Sequence, residues 1–145
     1  MKQFSVSIDI QAPPERVHAV MTDVDRWPEW TPTVTKSERL TPGPFTVGSR
    51  IRVHQPGFPP AVWRVSEIVA GRGFVWVSSG PGMLVTARHS VEPREGGSRV
   101  TLTIQYDGVL GPLFGWLTRD VNDRYIALEA KGLKSRSEAE LERMA

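Results

Sequence analysis

The stretch GSRVTLTIQYDGVLGPLFGWLTRDVNDRYIALEAKGL, residues 97–133, holds the decisive change of period. In its first part Val100, Leu102, Ile104 and Tyr106 alternate with Thr101, Thr103, Gln105 and Asp107. That period of two makes a strand with one apolar face. After Gly111-Pro112 the spacing becomes helical, with Leu113, Leu117, Val121, Tyr125 and Leu128 as the apolar positions. Arg119, Asp120, Asp123, Arg124, Glu129 and Lys131 fill most places between them. One amphipathic helix is predicted through Leu133 to about Glu140, about 40 Å long at its rise per residue. A helix of that length must lie along something large and apolar.

Upstream, strand follows strand from Thr33 to Asp107. Val85, Ala87, His89 and Val91 alternate with Thr86, Arg88, Ser90 and Glu92. Trp63 and Val65 alternate with Arg64 and Ser66, and Ile51 and Val53 with Arg50, Arg52 and His54. Phe74-Val75-Trp76-Val77 is a continuous apolar run, which predicts a strand covered on more than one side. Gly71-Arg72-Gly73, Gly80-Pro81-Gly82 and Glu95-Gly96-Gly97 are short turns, so neighbouring strands run antiparallel. At the N-terminus Phe4, Val6, Ile8 and Ile10 alternate, predicting a strand from Phe4 to Gln11. Pro13-Pro14-Glu15 then opens a short helix carrying Val17, Val20 and Met21, since proline and an acid suit a first turn. A second short helical turn covers Asp25 to Trp30. The prolines are read as boundaries between periodic segments. This order predicts an α+β fold. A curved antiparallel sheet of about seven strands grips a long C-terminal helix, with two short helices after the first strand. Residues 1–145 read as a single domain.

Composition narrows the chemistry. The 145 residues include no cysteine, which excludes disulfides, a thiol nucleophile and Cys-ligated metal sites. The three histidines, His18, His54 and His89, have no metal-ligand spacing, so no metal and no cofactor is expected. Lys and Arg total 18 against 16 Asp and Glu, a formal charge of +2, without a run of like charge. Nucleic acid is therefore not an expected partner. No apolar stretch approaches the ~20 residues that span a bilayer, and MKQFSVSIDI alternates instead of forming a signal-peptide core. A cytoplasmic location is the default expectation, as a monomer or homodimer.

Specific marks lie along most of the chain. They include Ala12-Pro13-Pro14-Glu15-Arg16-Val17, Asp25-Arg26-Trp27-Pro28-Glu29-Trp30, Gln55-Pro56-Gly57 and Trp63-Arg64-Val65. Phe74-Val75-Trp76, His89-Ser90-Val91-Glu92-Pro93 and Gly97-Ser98-Arg99-Val100 follow. With these marks the sequence resembles the START-like, helix-grip (SRPBCC) superfamily. That superfamily holds polyketide cyclases/dehydrases, lipid-transfer START domains and the birch-pollen allergen. The likeness runs from Val6 to Leu133 and is greatest to the small bacterial polyketide cyclase/dehydrase group. The glycine-rich stretch of the pollen-allergen branch is absent. The resemblance implies a sheet-and-helix grip, with space between the two that can hold a hydrophobic small molecule.

Candidate site residues follow from strand faces. His89 shares the inward face of Val85, Ala87 and Val91, and an imidazole there is either a proton-transfer group or a hydrogen-bonded core histidine. Tyr106 follows Leu102 inward, where its hydroxyl would orient a ligand, donate a proton or bond to backbone. Gln55 shares the face of Ile51 and Val53 and either meets a ligand or caps a strand end. Trp63, Phe74 and Trp76 are inward aromatics that suit a flat or lipidic ligand. Leu113, Leu117 and Val121 are assigned to the helix wall of the cavity, with Trp116 and Phe114 at its mouth. Trp27 and Trp30 read as a packing plug. Asp120 and Arg124 read as a solvated i, i+4 pair; with that face turned inward, Asp120 would be the acid beside His89. The catalytic candidates are thus His89 and Tyr106.

Three functions compete at this point. The first is binding of a hydrophobic or aromatic small molecule, lipid or polyketide-like. The second is a polyketide cyclase/dehydratase that uses cavity polar groups as proton-transfer groups. The third is a protein-interaction role, which requires a large exposed apolar patch.

Overall fold

The predicted strands become β1 (Lys2–Ile10), β3 (Arg50–His54), β4 (Ala61–Val69), β5 (Gly73–Gly80), β6 (Met83–Arg94) and β7 (Gly97–Asp107). A short β2 (Lys36–Arg39) lies between β1 and β3, too brief to show alternation. The structure is a computed structural model that describes the backbone of residues 2–144 and the side chains of residues 2–139. All pairings are antiparallel, in the order β1-β7-β6-β5-β4-β3-β2, so the first strand returns beside the last. The turn glycines Gly71, Gly82 and Gly96 have φ of 71°, 67° and 82°, values a side chain disfavours.

Two local departures from simple alternation have physical causes. A bulge between Val65 and Glu67 shifts the parity of β4, so Trp63 and Val65 point inward while Val69 is exposed. Pro93 lies inside β6, not at a boundary, but β5 ends opposite Ser90 and Pro93 has no β5 residue facing it. In β5 only Phe74 and Trp76 are deeply buried among the apolar run; Val75 and Val77 are half-buried on the other face, so the run is one-sided after all.

Helices cover the concave face. α1 (Pro14–Thr22) and a 3-10 turn (Val24–Glu29) bury Val17, Met21, Val24 and Trp27 in one core with Ile51, Val65, Phe74, Val91 and Val100. Each such side chain contributes about 1.5–3 kcal/mol of burial. The Trp27 indole Nε1 donates to the Met21 carbonyl at 3.0 Å, which fixes that ring over the sheet.

The single helix expected after Gly111 is divided at Thr118 into α2 (Gly111–Leu117) and α3 (Arg119–Met144). Its buried positions are Gly111, Gly115, Asn122, Ile126, Ala130, Leu133 and Ser137, a helical stripe made largely of small and polar residues. α3 approaches the chain closely at Gly132, where a Cβ would stand 2.1 Å from the Trp30 carbonyl oxygen. No helix among the described residues is long and apolar enough to cross a membrane.

Candidate functional site

Between the concave sheet and α3 lies a cavity of about 210 Å³. A cavity of roughly 150 Å³ holds one benzene ring, and drug-sized pockets begin near about 300 Å³. The space therefore suits one or two rings.

Strand register divides its floor into three tiers, each about 6.6 Å from the next along the strands. In the first, His89 lies between Phe74 and Leu102; in the second, Ala87 lies between Trp76 and Ile104; in the third, Val85 lies between Ser78 and Tyr106. α3 covers the tiers with Glu129, Ile126 and Asn122, and its Tyr125 also lines the space. Asn122 and Glu129 are seven residues apart, two helical turns and about 10 Å. Trp27, Trp63 and Val53 complete the apolar wall.

In the first tier the His89 ring is stacked on Phe74, with centroids 4.1 Å apart and planes 8° apart. Trp27 and Trp76 approach it at 5.7 and 5.8 Å. Nδ1 lies 3.4 Å from the Phe74 carbonyl oxygen, which can only accept, so Nδ1 carries hydrogen. Nε2 then faces Glu129 Oε1 at 3.5 Å. The two side chains are only 5% and 16% exposed, so little water screens them. A neutral Nδ1–H imidazole would present a lone pair to a carboxylate. The contact becomes a hydrogen bond when a proton sits between its members, and the remaining carboxylate lone pairs can still accept an O–H from a third molecule. Such a pair can take a proton from a bound molecule and return one.

The third tier holds a different polar group. Tyr106 Oη donates to Asn122 Oδ1 at 2.9 Å, and Asn122 Nδ2 donates to Thr118 Oγ1 at 2.9 Å. Burial pushes the Tyr106 hydroxyl above its ordinary pKa, and the bonds to Asn122 and Thr118 offset this only in part. It is therefore a neutral phenol at physiological pH.

The rim is formed by the loop after β3. Gln55, Phe58 and Pro59 line the cavity there. Phe58 meets Tyr125 of α3 edge-on at 6.0 Å, and Tyr125 Oη donates to the Pro56 carbonyl.

The structure brings Gln55, Trp63, Trp76, Val85, Ala87, His89, Leu102 and Tyr106 to the cavity as the strand faces predict. Phe74 stands behind His89 instead of lining the space. The helix assignments are corrected. Leu113 and Leu117 are 55% and 63% exposed, and Val121 is half-buried and lies off the cavity wall. Trp116 is likewise turned out, with the Arg119 guanidinium 4.7 Å from its ring. Only Phe114 of that group lines the space. The reason is steric. α2 must press close to β7, so its inner face carries Gly111 and Gly115, whose Cβ atoms would meet Tyr106. Large residues are left for the outer face.

Asp120 is exposed, and the acid beside His89 is Glu129. Trp27 is both plug and cavity wall. Sequence reasoning missed Glu129 and Asn122. Their signal was phase: each sits three or four residues from Ile126, on the buried stripe.

The family described as "Polyketide cyclase / dehydrase and lipid transport" matches residues 1–145. No curated protein matches. Among solved structures, the Zhui aromatase/cyclase from Streptomyces sp. R1128 is similar at 14% identity and a TM-score of 0.78, over 97% of this chain and 95% of that one. The protein TTHA0849 from Thermus thermophilus is similar at 21% identity and a TM-score of 0.76, over 95% and 98%. The di-domain ARO/CYC BexL of the BE-7585A biosynthetic pathway is similar at 22% identity and a TM-score of 0.73, over 95% of this chain and 47% of its own length. At these identities the likeness is one of fold.

Proposed function

The chain belongs to the polyketide cyclase/dehydrase and lipid-transport family, and from that premise we propose that it binds a compact, largely apolar molecule, aromatic or polyketide-like, between its sheet and α3. The observation that carries this is the unfilled space of about 210 Å³ walled by Trp27, Trp63, Trp76 and Ile126. A flat ring seated there leaves water for apolar surroundings, at about 25 cal/mol per Å² of apolar surface. Titration of the full chain with 2-naphthol, followed by tryptophan emission, is the test. Saturation at one molecule per chain is expected, with a rise in melting temperature. Ala87→Phe, which fills the middle tier, is expected to abolish it. If neither naphthols nor fatty acids give a saturable change in the folded protein, the proposal fails.

A second function, dehydration of a β-hydroxy carbonyl compound, is favoured by the His89–Glu129 pair. Glu129 would remove the proton from the carbon beside the carbonyl. The C–H electrons form the new double bond, the β C–O bond breaks, and imidazolium Nε2 protonates the departing hydroxide to water. Passing the proton from Glu129 to His89 restores the pair, and the net change is loss of one water. Tyr106, two tiers away, would bind the substrate and not react with it. A His89→Ala protein with full turnover of such a substrate would exclude this chemistry.

A further inference from the structure

Resting on the ligand-binding function proposed above, we infer that the ligand is an elongated flat molecule with an oxygen at each end, one for the His89–Glu129 pair and one for the Tyr106–Asn122 pair. The tiers alternate in chemistry. The first and third are polar on both floor and roof: His89 under Glu129, and Tyr106 with Ser78 under Asn122. The middle tier, Ala87 and Trp76 under Ile126, carries mainly apolar side chains. Sheet and helix bracket the separation, with two strand tiers of about 13 Å and two helical turns of about 10 Å.

Each end has unspent hydrogen-bonding capacity. At the first, the Glu129 carboxylate keeps lone pairs that accept from one ligand O–H. At the other, the Tyr106 oxygen donates to Asn122 and has Thr118 beside it, which leaves it one lone pair, and one of the two Asn122 amide hydrogens is committed to Thr118. That end accepts from a hydroxyl or donates to a carbonyl. Allowing a hydrogen bond of about 2.8 Å at each end, the ligand oxygens lie about 5–8 Å apart. A two-ring body with oxygens at opposite ends fits both this span and the volume. Gln55 lines the rim, where the next residue, Pro56, accepts from Tyr125.

Three probes separate the possibilities by titration of the full chain: 2-naphthol, 2,6-dihydroxynaphthalene and 2,3-dihydroxynaphthalene. The last two have the same composition and differ only in whether both oxygens sit at one end. The 2,6-isomer is expected to bind about tenfold more tightly than the other two. Tyr106→Phe is expected to remove that advantage while leaving 2-naphthol within about twofold, because 2-naphthol can still anchor on Glu129. Equal affinities for all three, or preference for the 2,3-isomer, overturn the two-ended ligand while leaving cavity binding intact. No binding by any of them overturns the two-ended ligand, and cavity binding falls with it when fatty acids also give no saturable change. The isomer comparison needs only the unmodified chain and stands even if the variant does not fold.

Discussion

Replacing Glu129 by leucine is expected to stabilise the fold and to destroy the site. Glu129 holds a carboxylate that is 16% exposed, set against the buried His89 in an otherwise apolar tier. Leucine has nearly the same helix propensity, so the backbone of α3 is unaffected. Burying the leucine side chain contributes about 1.5–3 kcal/mol. In exchange the protein gives up a 3.5 Å approach between carboxylate and imidazole, well beyond the ~2.7–2.9 Å of a strong charge-assisted bond. Hydrocarbon in place of such buried pairs is neutral or stabilising by about 1–4 kcal/mol. His89 keeps its Nδ1 bond to Phe74 and leaves Nε2 unpaired, which costs about 1 kcal/mol. The net gain is about 0.5–2 kcal/mol, or a melting temperature raised by about 2–6 °C. Urea unfolding with an unchanged m-value, together with calorimetry, measures it. Destabilisation by more than about 1 kcal/mol would refute the reasoning, because the pair would then be holding the fold together instead of serving a ligand.

Gly132→Ala is expected to destabilise by about 2 kcal/mol despite alanine's ~1 kcal/mol helical advantage, because the new methyl meets the Trp30 carbonyl at 2.1 Å. A urea midpoint at or above that of the parent protein would show that α3 does not approach so closely. For Tyr106, burial raises the hydroxyl pKa in the folded state, so the folded chain holds the proton more tightly than the unfolded one. The resulting stability is complete below the ordinary tyrosine value of about 10 and is lost as pH rises through the folded value. Difference absorbance near 295 nm between the parent and Tyr106→Phe should place this ionisation above the ordinary range, and one at or below it would contradict the burial.

The sheet was legible because alternation survives wherever one face is buried. Val85, Ala87 and His89 needed nothing but parity to be placed correctly. β4 was harder, since one bulge at Ser66 reverses parity downstream and leaves no mark in composition. The helix wall was misread for a physical reason. Hydrophobic periodicity finds the side of a helix that packs against hydrocarbon, and this helix faces partly a void and partly a strand too near for large side chains. Its inner stripe is therefore Gly111, Gly115, Asn122, Ile126, Glu129 and Ala130, whereas Leu113, Trp116 and Leu117 lie outside. Setting the phase from Ile126 and Leu133 would have turned Glu129 inward, so the acid beside His89 was recoverable once the cavity was assumed.

The empty space under α3 also makes the protein compressible. Unfolding abolishes internal voids, so its volume change grows more negative as the native void grows. Whatever part of the 210 Å³ water leaves unfilled adds to the pressure sensitivity of the unliganded chain. A seated ligand that fills that part lowers the sensitivity. Pressure midpoints thus rank candidate ligands by how completely they fill the space, whatever their effect on heat stability.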